Sequence, residues 1–274
     1  MAICIFSIKL LQTTNKLKQS IGYTTIKAHL IICHSYYLFF KSNTIQASLL
    51  IFISSGGSHT LKRNILEHLQ SNRTKYLLVT VMFLIGVAAG IAMYQLISDQ
   101  TRSQLLKSLD SFFTHTAMQG QSLDRTSYFK KNLESELRSF AIMWICGLTV
   151  LGLVAAPFFS LLKGFTIGFT NTFIIANYGT KGVFYSLLTI IPQNLIKIPA
   201  LFFCCVCIMS YSLKLTESKS KSKGVYLGRA SPFKLFVLFT IMVTISFLIS
   251  LVGVALESYI TPSFIFVFTP EMHN

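Results

Sequence analysis

Cysteines and histidines are the first residues of this chain whose chemistry could serve a metal site or catalysis. Cys204, Cys205 and Cys207 stand close together, but they lack the C-x-x-C spacing of a metal site and have no histidine nearby. His68 and His115 each stand alone, without a partner spaced for acid–base work. The sequence has no G-x-S-x-G, H-E-x-x-H or P-loop motif. We therefore predict that the protein is not an enzyme and needs neither a metal nor another cofactor.

Lys197 is a different kind of candidate, because it is a charge within a long apolar run at residues 183–213. An ionisable residue inside a membrane span often marks a transport route or a proton relay. Lys197 could serve such a route, bind an anion, pair with nearby carbonyl groups, or extend its ammonium group toward water. The sequence alone leaves these alternatives open.

The composition indicates that membrane helices carry these residues. Hydrophobic residues make up 52% of the chain and charged residues 12%, whereas a soluble domain has about 25% charged residues. A helix needs about 20 apolar residues to cross a bilayer. We therefore predict an all-α fold, a polytopic bundle of about five transmembrane helices. The predicted spans are residues 76–97, 139–162, 164–178, 194–213 and 235–256.

The run at 183–213 is too long for a single span. As one helix it would measure about 46 Å, and Pro192 and Pro199 would interrupt its hydrogen bonds. We predict a short or re-entrant helix at 183–192, so that the bundle is broken near 183–193. Irregular backbone at membrane depth must face protein or a cavity, and we expect the Pro-Gln-Asn turn to face the bundle.

The charge distribution predicts the orientation in the membrane. The formal net charge is +15, and the cations gather in the lead-in at 61–75 and in the loop at 214–234. Cation-rich flanks of membrane spans are typically cytoplasmic, so five spans place the N-terminus inside and the tail at 257–274 outside. The cations can also meet anionic lipid. No nucleic-acid-binding motif accompanies them, so we predict the lipid bilayer, and no nucleic acid, as their partner.

The loop at 98–138 lies outside in this scheme and has nearly balanced charge. Apolar residues at helical spacing predict a hairpin of two amphipathic helices. The hairpin could pack on itself, lie on the membrane surface, or bind a partner, and these roles are compatible. The candidate partner-binding residues are Leu109, Phe112, Phe113, Tyr128 and Phe129.

Two pairs of glycines have the spacing that lets membrane helices approach closely. They are Gly86-x-x-x-Gly90 and Gly164-x-x-x-Gly168. We expect them to serve packing within the bundle, with dimerisation as the alternative.

Residues 1–60 differ from the rest of the chain. They contain five lysines, no Asp or Glu, and no apolar run long enough to span a membrane. Codons for Gly56-Gly57 could spell a ribosome-binding site ahead of a TTG start at Leu61. We expect a poorly structured N-terminal extension, either a translated leader or a genuine cytoplasmic segment.

From Leu61 to Pro262 the chain resembles the stage II sporulation protein M family. The resemblance is carried by SLLKGFTIGFTNTFIIANYG, IIPQNLIKIPALF and LESYITP. Gln193-Asn194 stand where the broader family often has His-Gly, and Lys197 stands where it often has an acid. The positions that match family motifs are Gly164, Gly168, Pro192, Gln193, Asn194, Pro199, Glu257, Thr261 and Pro262.

The resemblance implies a non-catalytic multi-pass membrane scaffold in the mother-cell septal or engulfing membrane of a sporulating bacterium. Such a scaffold positions two peptidoglycan-degrading proteins, stage II sporulation proteins D and P, for septal thinning and engulfment. The alternative is the permease subunit of an export-type ATP-driven transporter, which would need a separate ATPase.

Overall fold

The computed structural model of the chain describes residues 70–118, 125–220 and 232–272, with side chains described at 70–111, 126–216 and 233–259. These ranges form helices and contain no strand, which confirms the predicted all-α class. The elements in chain order are α1 Arg73–Leu96, α2 Asp99–Met118, α3 Arg125–Gly147, α4 Gly152–Tyr185, a π-helical turn Ser186–Ile190, α5 Ile191–Ser220 and α6 Pro232–Met272.

Helices α1 and α4 pack side by side and run in the same direction. The Ser160 hydroxyl of α4 donates a hydrogen bond of 2.9 Å to the Val79 carbonyl oxygen of α1. Further along both helices, the rings of Tyr94 and Phe173 meet edge to face with centroids 6.0 Å apart. Both glycine pairs lie in the interface between these contacts: Gly86, Gly90, Gly164 and Gly168.

The glycines allow the backbones of α1 and α4 to touch. A Cβ atom at Gly86 would lie 2.1 Å from the Leu161 carbonyl oxygen, and one at Gly164 would lie 2.2 Å from the Phe83 carbonyl oxygen. These distances are far shorter than a van der Waals contact, and a backbone obstacle cannot move without shifting a helix. Both glycine pairs therefore serve packing within the bundle.

The chain reverses direction at Gly179, whose φ of 58° is unfavourable for a residue with a side chain. After the reversal, the Ser186 hydroxyl donates a hydrogen bond to the side-chain oxygen of Asn171. Gly182 packs against the carbonyl oxygen of Ile174. The first part of α4 and the segment that continues into α5 are therefore two antiparallel passes joined by a tight turn.

The structure differs here from the predicted helix break at 183–192. The helix continues through Pro192 into α5, and its irregularity is the π-helical turn, in which the Ile191 N–H bonds to the Ser186 carbonyl oxygen. A π turn widens the backbone directly before Pro192, where the ring would otherwise collide with the carbonyl group four residues earlier. The chain is interrupted at Gly179, which lies in the gap between the predicted span at 164–178 and the predicted helix at 183–192.

A second difference concerns residues 139–162, which the sequence predicts as one span. A turn at 148–151 separates α3 from α4. The Ser212 hydroxyl of α5 lies 3.3 Å from the Gly147 carbonyl oxygen and 3.0 Å from that of Thr149. Local backbone hydrogen bonds, such as that of 3.2 Å from the Gly152 N–H to the Thr149 carbonyl oxygen, also satisfy this turn, so it can occur inside an apolar sequence. The second half of the predicted span joins the predicted third span to form the long first part of α4.

Helix α3 runs antiparallel to α6 along its whole length. Asn132 Nδ2 donates a hydrogen bond of 3.2 Å to the Ser258 hydroxyl, and near the other end Trp144 Nε1 donates one of 3.3 Å to Thr240 Oγ1. The helix that includes the second half of the hairpin predicted at 98–138 therefore packs against α6 within the bundle.

Helix α5 runs antiparallel to α1. Lys75 Nζ donates a hydrogen bond of 2.8 Å to the Ser210 hydroxyl, and the rings of Phe83 and Phe202 meet with centroids 5.4 Å apart. We call the end where Lys75 meets Ser210 the proximal end, and the end with Gly179 the distal end. Within the described ranges the chain makes five helical passes of alternating direction, namely α1, α3, the first part of α4, the segment through α5, and α6.

The outside of this bundle is apolar as well as its core. Val154, Phe158 and Leu248 expose 71%, 55% and 56% of their surface, which is typical of a surface covered by lipid. By length and composition, three described stretches could cross a membrane: Arg73–Leu96, Gly152–Thr216 and Phe233–Tyr259. The second of these contains the reversal at Gly179. That all five passes cross the membrane stays a prediction.

Several predicted features lie partly or wholly outside the described residues. They are the extension at 1–60, most of the lead-in at 61–75 and much of the basic loop at 214–234.

The glycine interface gives a first test. Replacing Gly86 with leucine forces α1 away from α4, and we expect a loss of about 1–3 kcal/mol of unfolding free energy or more. Ala89→Leu is the matched control, because Ala89 is exposed on the same helix. Equilibrium unfolding in mixed micelles measures both, and equal stability of the two variants would contradict the packing described.

Candidate functional site

An ion pair inside the bundle joins α5 to α6. Lys197 Nζ lies 2.5 Å from Glu257 Oε2, and the two side chains are 8% and 25% exposed. Gly253 makes room for the lysine, because a Cβ atom there would lie 2.6 Å from Lys197 Cγ. The lysine that stood alone in the sequence therefore has a carboxylate partner, and its side chain lies inside the bundle.

Two further charges from α3 and α4 surround this pair. Lys163 of α4 is close enough to interact electrostatically with Glu136 of α3 and with both members of the pair. The Ser250 hydroxyl of α6 donates a hydrogen bond to Glu136 Oε1. We call Glu136, Lys163, Lys197 and Glu257 the four-charge cluster. It consists of two basic and two acidic side chains.

Polar side chains continue from the cluster toward the distal end. Tyr128 shares a hydrogen bond with Asn132 and interacts electrostatically with Glu257. Tyr185 also interacts electrostatically with Glu257. Gln193 Oε1 is buried and has no hydrogen-bond donor among the described residues. The interior between α3, α5 and α6 is therefore polar over several turns.

The cluster lies at the middle of the bundle rather than at its edge. The uncharged stretch at 76–98, most of which belongs to α1, gives a reference for depth. Phe83 in that stretch packs on Phe202, and Lys197 precedes Phe202 by five residues, about 7.5 Å along the helix toward the distal end. Lys197 is thus level with the middle of the uncharged stretch. Ionisable groups at this depth are costly unless paired.

The geometry suits holding four helices in one register more than catalysis. Each charge belongs to a different helix, and the pairing of Lys197 with Glu257 fixes how α5 and α6 align. A carboxylate buried in this way needs its ammonium partner, since an unpaired buried charge is strongly unfavourable.

The distal end carries a second feature, where α2 lies against α4. Tyr178 donates a hydrogen bond of 2.5 Å to Asp110 Oδ1. Beside this contact is an apolar groove of about 270 Å³. Its apolar lining residues are Leu105, Leu109, Phe169, Phe173 and Ile174.

The candidate partner-binding residues divide between these places. Leu109 packs against Ile174 and Tyr185, and Tyr128 and Phe129 are half-buried on α3. Phe112 and Phe113 lie on α2, but their side chains are outside the described residues.

The family-motif positions are distributed along the passes. Gly164 and Gly168 pack on α1, Pro192 follows the π turn, and Pro199 is buried. Asn194 is buried and its side-chain nitrogen donates to the Ile190 carbonyl oxygen at 2.8 Å. Thr261 and Pro262 lie on α6, with side chains outside the described residues.

Sequence reasoning missed Glu136 and Lys163 as interior charges. Glu136 belonged to the loop expected outside, and Lys163 to the boundary between two predicted spans. The spacing of Tyr128, Asn132, Glu136 and Phe140, one turn apart, was the available signal, because it places these residues on one helix face.

The cysteines show no site in the part of the chain that the structure describes. Cys204, Cys205 and Cys207 are buried free thiols, and Cys205 Sγ donates to the Ala156 carbonyl oxygen at 3.3 Å. No group of three His, Cys, Asp or Glu side chains that could hold a metal ion occurs among the described residues.

Apolar helices with lipid-type surfaces and a compensated charge cluster define a helical integral membrane protein. A sequence model of stage II sporulation protein M matches residues 79–262, which is more than half of the chain. The chain belongs to the stage II sporulation protein M family. It is therefore a sporulation-related membrane protein. No curated protein and no solved structure matches it significantly.

The ion pair gives a second test. Lys197→Met leaves Glu257 buried without its partner, and we expect a loss of about 3–5 kcal/mol in unfolding free energy. Adding Glu257→Gln should recover much of that loss, because the uncompensated charge is then gone. A double-mutant cycle by equilibrium unfolding measures the coupling. Asp99→Asn, which removes an exposed ion pair with Arg102, should cost less than about 1 kcal/mol. Additive effects of the Lys197 and Glu257 variants would contradict the pairing.

Proposed function

We propose that this protein is a non-catalytic membrane scaffold that positions peptidoglycan-degrading partners at the sporulation septum for septal thinning and engulfment. Family membership over residues 79–262 is the observation that carries the proposal. The partners are stage II sporulation proteins D and P, as the family resemblance implies.

The arrangement of α2 supports a docking role at the distal end. Tyr178 and Asp110 hold the helix against α4, and its polar residues Gln104 and Lys107 are exposed. A helix fixed to a packed bundle offers a partner a surface whose conformational entropy is already lost, which favours binding. Phe112 and Phe113 extend the same helix with large apolar side chains, which are common in binding interfaces.

The charge distribution supports the orientation that this role requires. Cations of the lead-in and of the loop at 214–234 flank the proximal end, which we therefore place in the cytoplasm. The distal end with α2 then faces the space outside the mother-cell membrane, where the septal wall lies.

The interior supports a holding role rather than turnover. The ionisable residues at mid-depth are two lysines and two glutamates from four helices, and the family match gives no support to the permease alternative. The scaffold in this account contributes position, and its partners contribute the chemistry of wall cleavage.

The docking role is tested by changing the apolar end of α2. Phe112→Ser combined with Phe113→Ser should leave the protein in the membrane and abolish its co-purification with stage II sporulation proteins D and P, because the apolar contact is lost. Gln104→Ser combined with Lys107→Ser is the matched control on the same helix and should retain both partners.

Co-purification that survives the phenylalanine changes would refute docking at this helix. Deletion of the gene in its host, followed by microscopy of developing sporangia, tests the wider role. The scaffold account expects stalled septal thinning, and normal engulfment would refute it.

A further inference from the structure

The outer face of α3 carries charges where the neighbouring passes are apolar. Lys131, Glu134 and Arg138 are exposed, and toward the proximal end Ile142 and Ile145 expose 46% and 58% of their surface. Intervals of three and four residues place all five on one side of the helix. We call these five residues the α3 stripe.

The charged part of the stripe lies level with an apolar part of α6, as the contacts of α3 with α6 show. Asn132 bonds to Ser258, and Phe140 packs on Phe247 with ring centroids 5.4 Å apart. The charged part of the stripe is therefore level with 247–258 of α6, most of which belongs to an uncharged stretch. Lipid chains at this level would meet charged side chains, which is unfavourable.

The contacts within the stripe satisfy only part of the hydrogen-bonding capacity of its charged side chains. Arg138 Nη2 lies 2.7 Å from Glu134 Oε1, yet these two side chains are 71% and 70% exposed. A guanidinium group has five N–H donors and a carboxylate can accept several hydrogen bonds, so this single contact leaves most of their hydrogen-bonding capacity facing outward. Hydrocarbon cannot satisfy it, whereas another polar protein surface can.

We propose that the α3 stripe is a self-interaction surface that a second copy of this chain covers. Two copies inserted in the same direction relate by a twofold axis normal to the membrane, so their α3 helices run parallel. Equivalent residues then lie at the same height, and the long side chain of Arg138 can reach the partner's Glu134 one turn along the axis, with the reciprocal pair formed by symmetry. Glu134 and Arg138 are thus complementary between copies.

The glycine pairs favour this surface over the usual close-packed dimer contact. Gly86 and Gly164 are already occupied by the backbones of α4 and α1. Contact between copies therefore uses polar pairs at the charged part of the stripe and apolar packing at Ile142 and Ile145, both of which are recognised modes of helix association in membranes.

Disulfide cross-linking of the full chain in its native membrane tests the proposal. The background carries serine at Cys4, Cys33 and Cys146, so that the described cysteines that remain are buried. Ile142→Cys should form a covalent dimer on mild oxidation. Ile241→Cys is the matched control, because Ile241 is 49% exposed on the apolar face of α6, and it should stay monomeric.

Charge reversal distinguishes a dimer held by Glu134 and Arg138 from disulfides that form when two copies collide at random. Glu134→Arg alone, or Arg138→Glu alone, should lower the dimer yield by about tenfold, since like charges then meet. The two reversals together should restore it. A monomeric mass in lipid nanodiscs, an adduct with another protein in place of the dimer, or yields unchanged by reversal would each overturn the proposal.

Discussion

Charge compensation inside an apolar bundle is the constraint on which this structure depends. An ammonium group or a carboxylate at mid-depth cannot be hydrated, so it must meet an opposite charge. Lys197 meets Glu257 in this way, and Gly253 provides the space that the lysine occupies. Because these residues come from α5 and α6, the need for neutrality fixes the alignment of two passes that are distant in sequence.

Two kinds of helix contact stabilise the bundle. Lipid is as apolar as the helix surfaces, so the hydrophobic effect provides little attraction between helices within it. Helices α1 and α4 therefore associate through backbone contact at glycines, which maximises dispersion. Helices α3 and α6 associate through polar contacts, such as Asn132 with Ser258 and Trp144 with Thr240. The turn at Gly179 connects these two contacts along the chain. Helix α4 before the turn packs on α1, and α5 after it packs on α6.

The sequence predicts the parts of this fold that follow from local composition. The apolar stretches of α1 and α6 are visible because lipid selects against charge there, and the glycine spacing indicates a close contact. The turn at 148–151 could not be found in this way, because its residues are uncharged and mostly apolar. Its carbonyl oxygens accept from N–H groups just beyond it in the chain, as that of Thr149 does from Gly152, so hydropathy does not distinguish it from a continuous helix.

The same limit explains the candidate site. The cation-rich flanks at 61–75 and 214–234 predict that 98–138, and Glu136 with it, lies outside the membrane. Its interior position depends on Ser250 of α6 and Lys163 of α4, partners that a single sequence cannot assign. Membership of the stage II sporulation protein M family rests on a match over residues 79–262. It does not depend on where each predicted span begins or ends.

Paired charges in the interior and a helix α2 held against α4 fit the scaffold role proposed above. Such a scaffold needs helices that keep one register while partners act beside it, and paired charges provide that register without adding reactive groups. Solid-state NMR measurement of the separation between Lys197 Nζ and the Glu257 carboxyl carbon in lipid bilayers tests this register most directly. The account predicts that the two groups are in direct contact, as in the ion pair described. A separation too large for an ion pair would contradict it.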